Sequence, residues 1–304
     1  MTTRNVDSTT ADFPPETRRF RLRSVSRPYD PRTCAARRDI ADIALADQIF
    51  APRYAEPMPQ RITARSTMVR GSKDLASPAI SQLLQGEGFS VLDISGEWAW
   101  GFCEHDGYVG YVPLAVLGPV EDHSHVVSVR EAILFAAPDI KSNALGTLPM
   151  GARVAGAQED AFIRTDEGFI HERHLIAAGR TSPDFVATAE RLIGSPYLWG
   201  GRGAGGIDCS GLVQLALGLS GTAAPRDSDQ QLAGLGTEIG KDARLSRGDL
   251  VFFPGHVGIA VDDSRILHAN AYAMAVTIEP LEAVVDRLRE SYEAPIIGRR
   301  RLLK

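Results

Sequence analysis

The chain has 304 residues, 33 Lys and Arg against 38 Asp and Glu, and a formal net charge of −5. That length suggests two or three domains, and 44% hydrophobic with 23% charged residues is a globular composition far from disorder. The acidic balance argues against nucleic acid as the main partner, and no apolar run is long enough to span a membrane.

Residues 1–20 are polar and Thr-rich, end near Pro14-Pro15, and read as disordered. Residues 18–38 carry eight arginines: Arg18, Arg19, Arg21, Arg23, Arg27, Arg32, Arg37 and Arg38. Few aromatics accompany them, so the segment reads as an arm packed on the body with solvated charges, not as a nucleic-acid arm. Residues 37–50 place Ile40, Ile43, Ala44 and Ala46 near helical spacing and predict a short helix. A Pro-rich linker, 51–60, completes an N-terminal region of residues 1–60.

Residues 61–120 read as short strands: ITARSTMV, SVLDIS, EWAWGFC and GYVGYVPL. Trp98, Trp100 and Phe102 alternate, which predicts one aromatic face. Residues 121–180 repeat the outline in LPMGARVAGAQ, DAFIRTD and GFIHERHL, and aligning LLQG (83–86) with LPMG (148–151) sets an offset of 65. Alternating strands with Gly-rich turns suggest small barrels.

From residue 181 to 304 the pattern changes. Ser182-Pro183 offers a helix start, Phe185, Ala189 and Leu192 share a helical face, and Gly194 is a stop. A Gly-rich loop, WGGRGAGGID (199–208), leads to a second helix over 210–221 that buries Leu212, Val213, Leu215, Ala216 and Leu219. DLVFF, HVGIAVDD, RILHANA and AVTIEP then read as consecutive antiparallel strands. Helices followed by a meander predict an α+β domain.

Three cysteines, Cys34, Cys103 and Cys209, show no C-x-x-C spacing, so neither a disulfide framework nor a zinc knuckle is expected. Cys209 stands where the Gly-rich loop meets the helix. Unpaired N–H groups and the positive end of the helix dipole are expected to lower its pKa. His256 and His268 flank the turn at Asp262, Asp263 and Ser264. A three-residue loop at 261–263 would set His256 directly opposite His268 on one face. One imidazole can then take the thiol proton while the other orients it. A Cys-His-His zinc site is the less common use of such a set, and no cofactor or metal is expected. Gly201, Gly203 and Gly206 follow no strand, so they are not a dinucleotide fingerprint and instead serve close backbone packing near Cys209.

PYLWGG (196–201), IDCSGLVQ (207–214), PRDSDQQ (225–231), GDLVFF (248–253), GHVGIAV (255–261) and ILHAN (266–270), in that order, resemble the NlpC-type cysteine peptidases, compact bacterial relatives of papain. One departure is HVGIAV, where an aromatic often follows the Ile in that family. The G-E…W…DGYVGYV pattern of residues 61–120 resembles bacterial SH3-like domains, and residues 121–180 a degenerate copy. The fold class expected is therefore multidomain: two small all-β SH3-like barrels followed by an α+β papain-like (NlpC-type) catalytic domain. The resemblance implies Cys209 as nucleophile, His256 as general base and acid, and His268 as the orienting residue. It also implies that Tyr197 and the Cys209 backbone N–H hold the oxyanion.

SH3-like domains ahead of an NlpC-type domain resemble the γ-D-glutamyl–diamino acid endopeptidases of murein peptide recycling. Those enzymes act on free peptides such as L-Ala-γ-D-Glu-diamino acid. That resemblance implies that Asp208 and Ser210 hold the substrate ammonium and that Arg226 and Ser228 line the same cleft. It implies that the first SH3-like domain closes the cleft through Glu87 and Tyr108, with Tyr111 as competitor for Tyr108. Glu87 and Asp208 are then expected to share the ammonium, and the second copy, which lacks both groups, is a spacer. The start MTTRNVDSTTADFPPETRRF has no apolar core of a signal peptide, so a cytoplasmic monomer is expected, with no membrane partner. Two alternatives stand beside this reading: an exported wall hydrolase anchored by its SH3-like domains, and a thiol acyltransferase or inactive binding module on the same fold.

Overall fold

The computed structural model describes residues 29–240 and 243–302. The Thr-rich start and Arg18, Arg19, Arg21, Arg23 and Arg27 lie outside the described residues.

Residues 37–50 do not form the expected helix. Ala41–Asp42 is a short strand pairing in parallel with Tyr54–Ala55, followed by a 3-10 turn at Ile43–Leu45. Tertiary packing decides the matter: Ile40 and Ala35 are buried against Trp100 and Leu92 on the outer face of the next module. The Asp42 carboxylate accepts the Ala44 N–H at 2.9 Å, a local bond that favours a turn over a helix. Arg37 lies 4.5 Å over the Trp100 ring and pairs with Asp39 and Asp93. The face of Trp100 and Phe102 thus carries the arm.

The first β module is a seven-stranded sheet ordered Ala79–Leu84, Ser66–Arg70, Val109–Pro113, Trp98–Cys103, Gly88–Ser95, Met58–Ile62, Leu117–Gly118. Alternation puts Ala99 and Cys103 inward, with Ile62, Val69, Leu83, Phe89 and Val112. A register shift between Val91 and Asp93 turns Leu92 outward to the arm.

Residues 125–177 form a second all-β module of three- and five-stranded sheets around Val127, Leu134, Leu148, Ile163 and Ile170. Gly86 and Gly151, equivalent under the offset of 65, both have positive φ, +77° and +89°.

The last module pairs four helices with a six-stranded antiparallel sheet. Helix α1 spans Phe185–Glu190. Its N-cap is Asp184, which accepts the Val186 and Ala187 N–H groups at 2.9 and 3.1 Å, and not Ser182, whose hydroxyl meets that of Thr188. Helix α2, Cys209–Leu219, is buried on nearly every side, as its almost wholly apolar sequence requires. Helices α3, Ser228–Gly234, and α4, Leu281–Arg289, flank the sheet. The strand order is Thr237–Glu238, Gly298–Arg301, Leu250–Phe253, His256–Ala260, Arg265–Asn270, Ala275–Pro280. Leu212, Val213 and Ala216 of α2 share a core with Phe252, Val257, Ile259 and Leu267 of the sheet.

The hairpin register differs from expectation. Ile259 pairs with Leu267 and Ala260 with Ile266, which places His268 opposite Gly258 and not opposite His256. The turn is shifted by one residue: the Val261 N–H donates to the Arg265 carbonyl at 3.0 Å, and the Asp262 carboxylate accepts the Ser264 and Arg265 N–H groups at 2.9 and 2.8 Å. The slip is two residues, so both imidazoles stay on one face as diagonal neighbours. Gly258 leaves the room: an added Cβ there would stand 2.9 Å from Ile266 Cδ1 and 3.6 Å from His268 Cβ.

Candidate active site

Asp208 caps α2 by accepting the Gly211 N–H at 2.8 Å, and Cys209 is the first helical residue. Glycines let the loop close on this helix start. A Cβ at Gly211 would sit 2.3 Å from the Gly201 carbonyl oxygen, and one at Gly201 2.3 Å from that of Gly206. The backbone N–H groups of Val257, next to His256, and of Ser210 favour the Cys209 thiolate. Burial and the Asp208 carboxylate nevertheless push that thiol up to about 11, against the lowering expected for a helix start. Desolvation penalises the thiolate more than the N–H groups and Arg226 favour it.

His256 and His268 meet through Nε2 and Nδ1 at 2.8 Å. Burial, then His268, push the His256 imidazole down to about 3, with Asp208 and Glu279 opposing. No hydrogen bond joins the thiol to His256 among the described residues. The resting pair is therefore a neutral thiol and a neutral imidazole whose Nδ1 is the nitrogen left for the thiol proton. Tyr197 is half-buried, and its backbone bridges Ile207, two residues before Cys209. Burial, then Cys209 and Asp208, push its phenol up to about 12. Its hydroxyl has no partner among the described residues, so a neutral O–H remains to be donated.

The charged residues are arranged differently from expectation. Asp208 is paired internally: Arg226 reaches its two oxygens at 3.0 and 2.6 Å, and the Gly200 N–H adds a bond at 2.8 Å. Ser210 accepts from Arg226 at 2.9 Å and donates to Asp208 at 3.3 Å, and Arg226 Nε reaches Ser81 of the first β module. Arg226 is only 1% exposed and braces Asp208 and Ser210 from below, and both of these line the same cleft as Cys209.

Glu87 does not face Asp208. It is 4% exposed and pairs with Arg202 at 2.8 and 3.1 Å while accepting the Leu84 N–H at 2.8 Å. Gln82 completes this latch by accepting the Arg202 and Gly203 N–H groups at 2.7 and 3.1 Å. Glu87 thus joins the first β module to the loop before α2.

Tyr108 does reach the cleft, donating to Asp227 Oδ2 at 2.9 Å, and burial holds its phenol well above the usual range. Tyr111 lies under the arm, where its hydroxyl accepts from Arg37 at 3.1 Å. The cleft, of about 380 Å³, is lined by Tyr108, Trp199, Cys209, Asp227, Ser228 and Phe252, among others. Arg226 lies beneath it.

Sequence reasoning missed three residues. Arg32 of the arm reaches the cleft and bonds Asp227 at 2.9 Å and Asp229 at 2.8 Å. Asp227 is the cleft carboxylate that Tyr108 and Arg32 both hold. Glu279 receives a bond from His268 Nε2 at 2.9 Å. The positions of Asp227, between Arg226 and Ser228, and of Glu279, in the last strand of the meander, were the available signals.

Residues 194–292 match the NlpC/P60 family, and residues 69–117 match the bacterial dipeptidyl-peptidase SH3 domain. The chain is 25% identical over 266 residues to Dipeptidyl-peptidase 6 of Lysinibacillus sphaericus, spanning 79% of this chain and 92% of that protein. It is 27% identical over 231 residues to the gamma-D-glutamyl-L-lysine dipeptidyl-peptidase of Bacillus subtilis, spanning 67% and 77%. The crystal structure of an NlpC/P60 family protein from Bacillus cereus shares the fold, with a TM-score of 0.68 at 21% identity over 81% of this chain and 100% of that one. The segment carrying Cys209, His256 and His268 and the β module before it are thus those of an NlpC/P60 cysteine peptidase with a bacterial SH3 domain.

Proposed function

We propose that this protein is a cysteine endopeptidase that hydrolyses the γ-D-glutamyl–diamino acid bond of free murein peptides with an N-terminal L-Ala, in cytoplasmic recycling of cell-wall peptides. The observation that carries this reading is a single cleft joining Cys209 to an acidic wall. Asp227 and Asp229 line that cleft with Arg32, two negative charges against one positive, and Asp30 backs the same guanidinium. A substrate ammonium suits that charge. Asp227 takes the role first expected of Glu87 and lines the cleft with Asp208, Ser210, Tyr108 and Ser228.

His256 Nδ1 accepts the Cys209 proton as sulfur attacks the γ-glutamyl carbonyl carbon. With thiol and imidazole both neutral at rest, the proton moves with the attack and not before it. The Cys209 N–H, free at the first helical turn, and the Tyr197 hydroxyl donate to the developing oxyanion. His256 then gives its proton to the leaving amine. Water, deprotonated by the same nitrogen, cleaves the thioester and releases L-Ala-D-Glu. Residues 125–177 act as a degenerate SH3-like spacer between the first β module and the peptidase domain.

The names of the Bacillus relatives make L-lysine the first diamino acid to test. L-Ala-γ-D-Glu-L-Lys is incubated with wild type and Cys209→Ala, and products are read by mass spectrometry. The dipeptide L-Ala-D-Glu is expected from wild type alone. Free L-Ala as first product, or turnover by Cys209→Ala, would overturn the reading.

A further inference from the structure

His268 is 1% exposed, and both its ring nitrogens are committed, Nδ1 to His256 Nε2 at 2.8 Å and Nε2 to Glu279 Oε1 at 2.9 Å. The other Glu279 oxygen accepts from Arg287 of α4 at 2.8 Å, and that guanidinium lies 3.9 Å over the Tyr272 ring. Burial would raise the Glu279 carboxyl, but Arg287 and His268 outweigh it and hold it below its usual range.

Proton counting along this row has one solution. An ionised carboxylate only accepts, so His268 carries its hydrogen on Nε2. A neutral imidazole has one N–H, so His268 Nδ1 is a lone pair and must accept. His256 therefore donates from Nε2, which leaves His256 Nδ1 as a bare lone pair. That is the form a general base needs on the side away from His268.

We propose that Glu279 is a positioning residue of the peptidase: through His268 it fixes the tautomer of His256, so that Nδ1 is unprotonated and ready for the Cys209 thiol. This rests on the roles given above to Cys209 and His256. Without the carboxylate, the buried His268 Nε2–H has no acceptor. The favoured tautomer then has Nδ1–H, which donates to His256 Nε2 and moves the His256 proton to Nδ1, where it blocks the reaction. Arg287 and Tyr272 hold Glu279 in place.

The test compares wild type, Glu279→Gln and Glu279→Leu on L-Ala-γ-D-Glu-L-Lys, with Cys209→Ala as control, and reads tautomers by ¹⁵N NMR of the labelled histidines. Wild type should show Nε2–H on both His256 and His268. Glu279→Leu should move the proton of both rings to Nδ1 and lower kcat about 10²–10⁴-fold, the range lost when a general base is disabled, with KM unchanged. Glu279→Gln can still accept through its amide oxygen, and should keep the wild-type tautomers and most of kcat. Wild-type tautomers in Glu279→Leu, or equal losses in the Gln and Leu variants, would overturn the proposal. If Glu279→Leu does not fold, Glu279→Ala takes its place under the same two readings. NMR reports the tautomer even if Cys209→Ala proves active, so failure of the nucleophile assignment is distinguishable from failure here.

Discussion

Truncating Glu87 separates two roles that one carboxylate could have. As an ammonium ligand it would affect KM and leave stability alone. The structure instead sets it in a buried ion pair with Arg202, at 2.8 and 3.1 Å, with the Leu84 N–H as third donor. Glu87→Ala leaves the guanidinium, 3% exposed, without its countercharge. Breaking a buried pair from one side costs about 3–5 kcal/mol. At about 2–4 °C per kcal/mol for a chain of this size, Tm should fall roughly 6–20 °C, by calorimetry. Glu87→Leu combined with Arg202→Met should recover most of that loss, because no charge is left unpaired. Arg202 and His105 outweigh burial and lower the Glu87 carboxyl from 4.5 to about 2. Its contribution is therefore present above pH 4.5 and lost as pH falls toward 2, so the deficit of Glu87→Ala should shrink across that window. An unchanged Tm with a raised KM would refute the latch and restore Glu87 to the cleft.

The neutral resting state of the thiol makes Cys209 slow to alkylate. Its iodoacetamide rate, followed by peptide mapping, should rise about tenfold per pH unit from 7 toward 10; a plateau from pH 5 upward would mean a preformed thiolate. Arg32→Ala removes partly exposed ion pairs, each worth about 0–1 kcal/mol, so Tm should move little. It also removes the one positive charge beside Asp227 and Asp229, so KM for the free-amine peptide should fall with kcat kept; a raised KM would contradict the charge argument for this end of the cleft.

The peptidase core was legible where burial acts on a periodic pattern. The almost wholly apolar α2 and the meander strands follow from composition and alternation, and the ordered motifs identify the chemistry. The two histidines stay on one face despite the misjudged register, because the slip forced by the Asp262 turn is even. What could not be read are pairings between distant charges. Arg202 meets Glu87 across 115 positions and Arg32 meets Asp227 across 195, and no local pattern records either. Glu87 is expected at the cleft and found in the latch for that reason. The helix expected over 37–50 failed because the face of Trp100 selects the arm's conformation more strongly than its own spacing does.

The most direct test of an amine-selecting cysteine peptidase cleft is kcat/KM for L-Ala-γ-D-Glu-L-Lys against its N-acetylated form, in wild type and Asp227→Asn. A charge pair in a desolvated site is worth about 2–5 kcal/mol, so wild type should prefer the free amine by roughly 30-fold or more. Asp227→Asn should lose most of that preference while still cutting at the same bond. Equal cleavage of both peptides by wild type, or an undiminished preference in Asp227→Asn, would contradict the account.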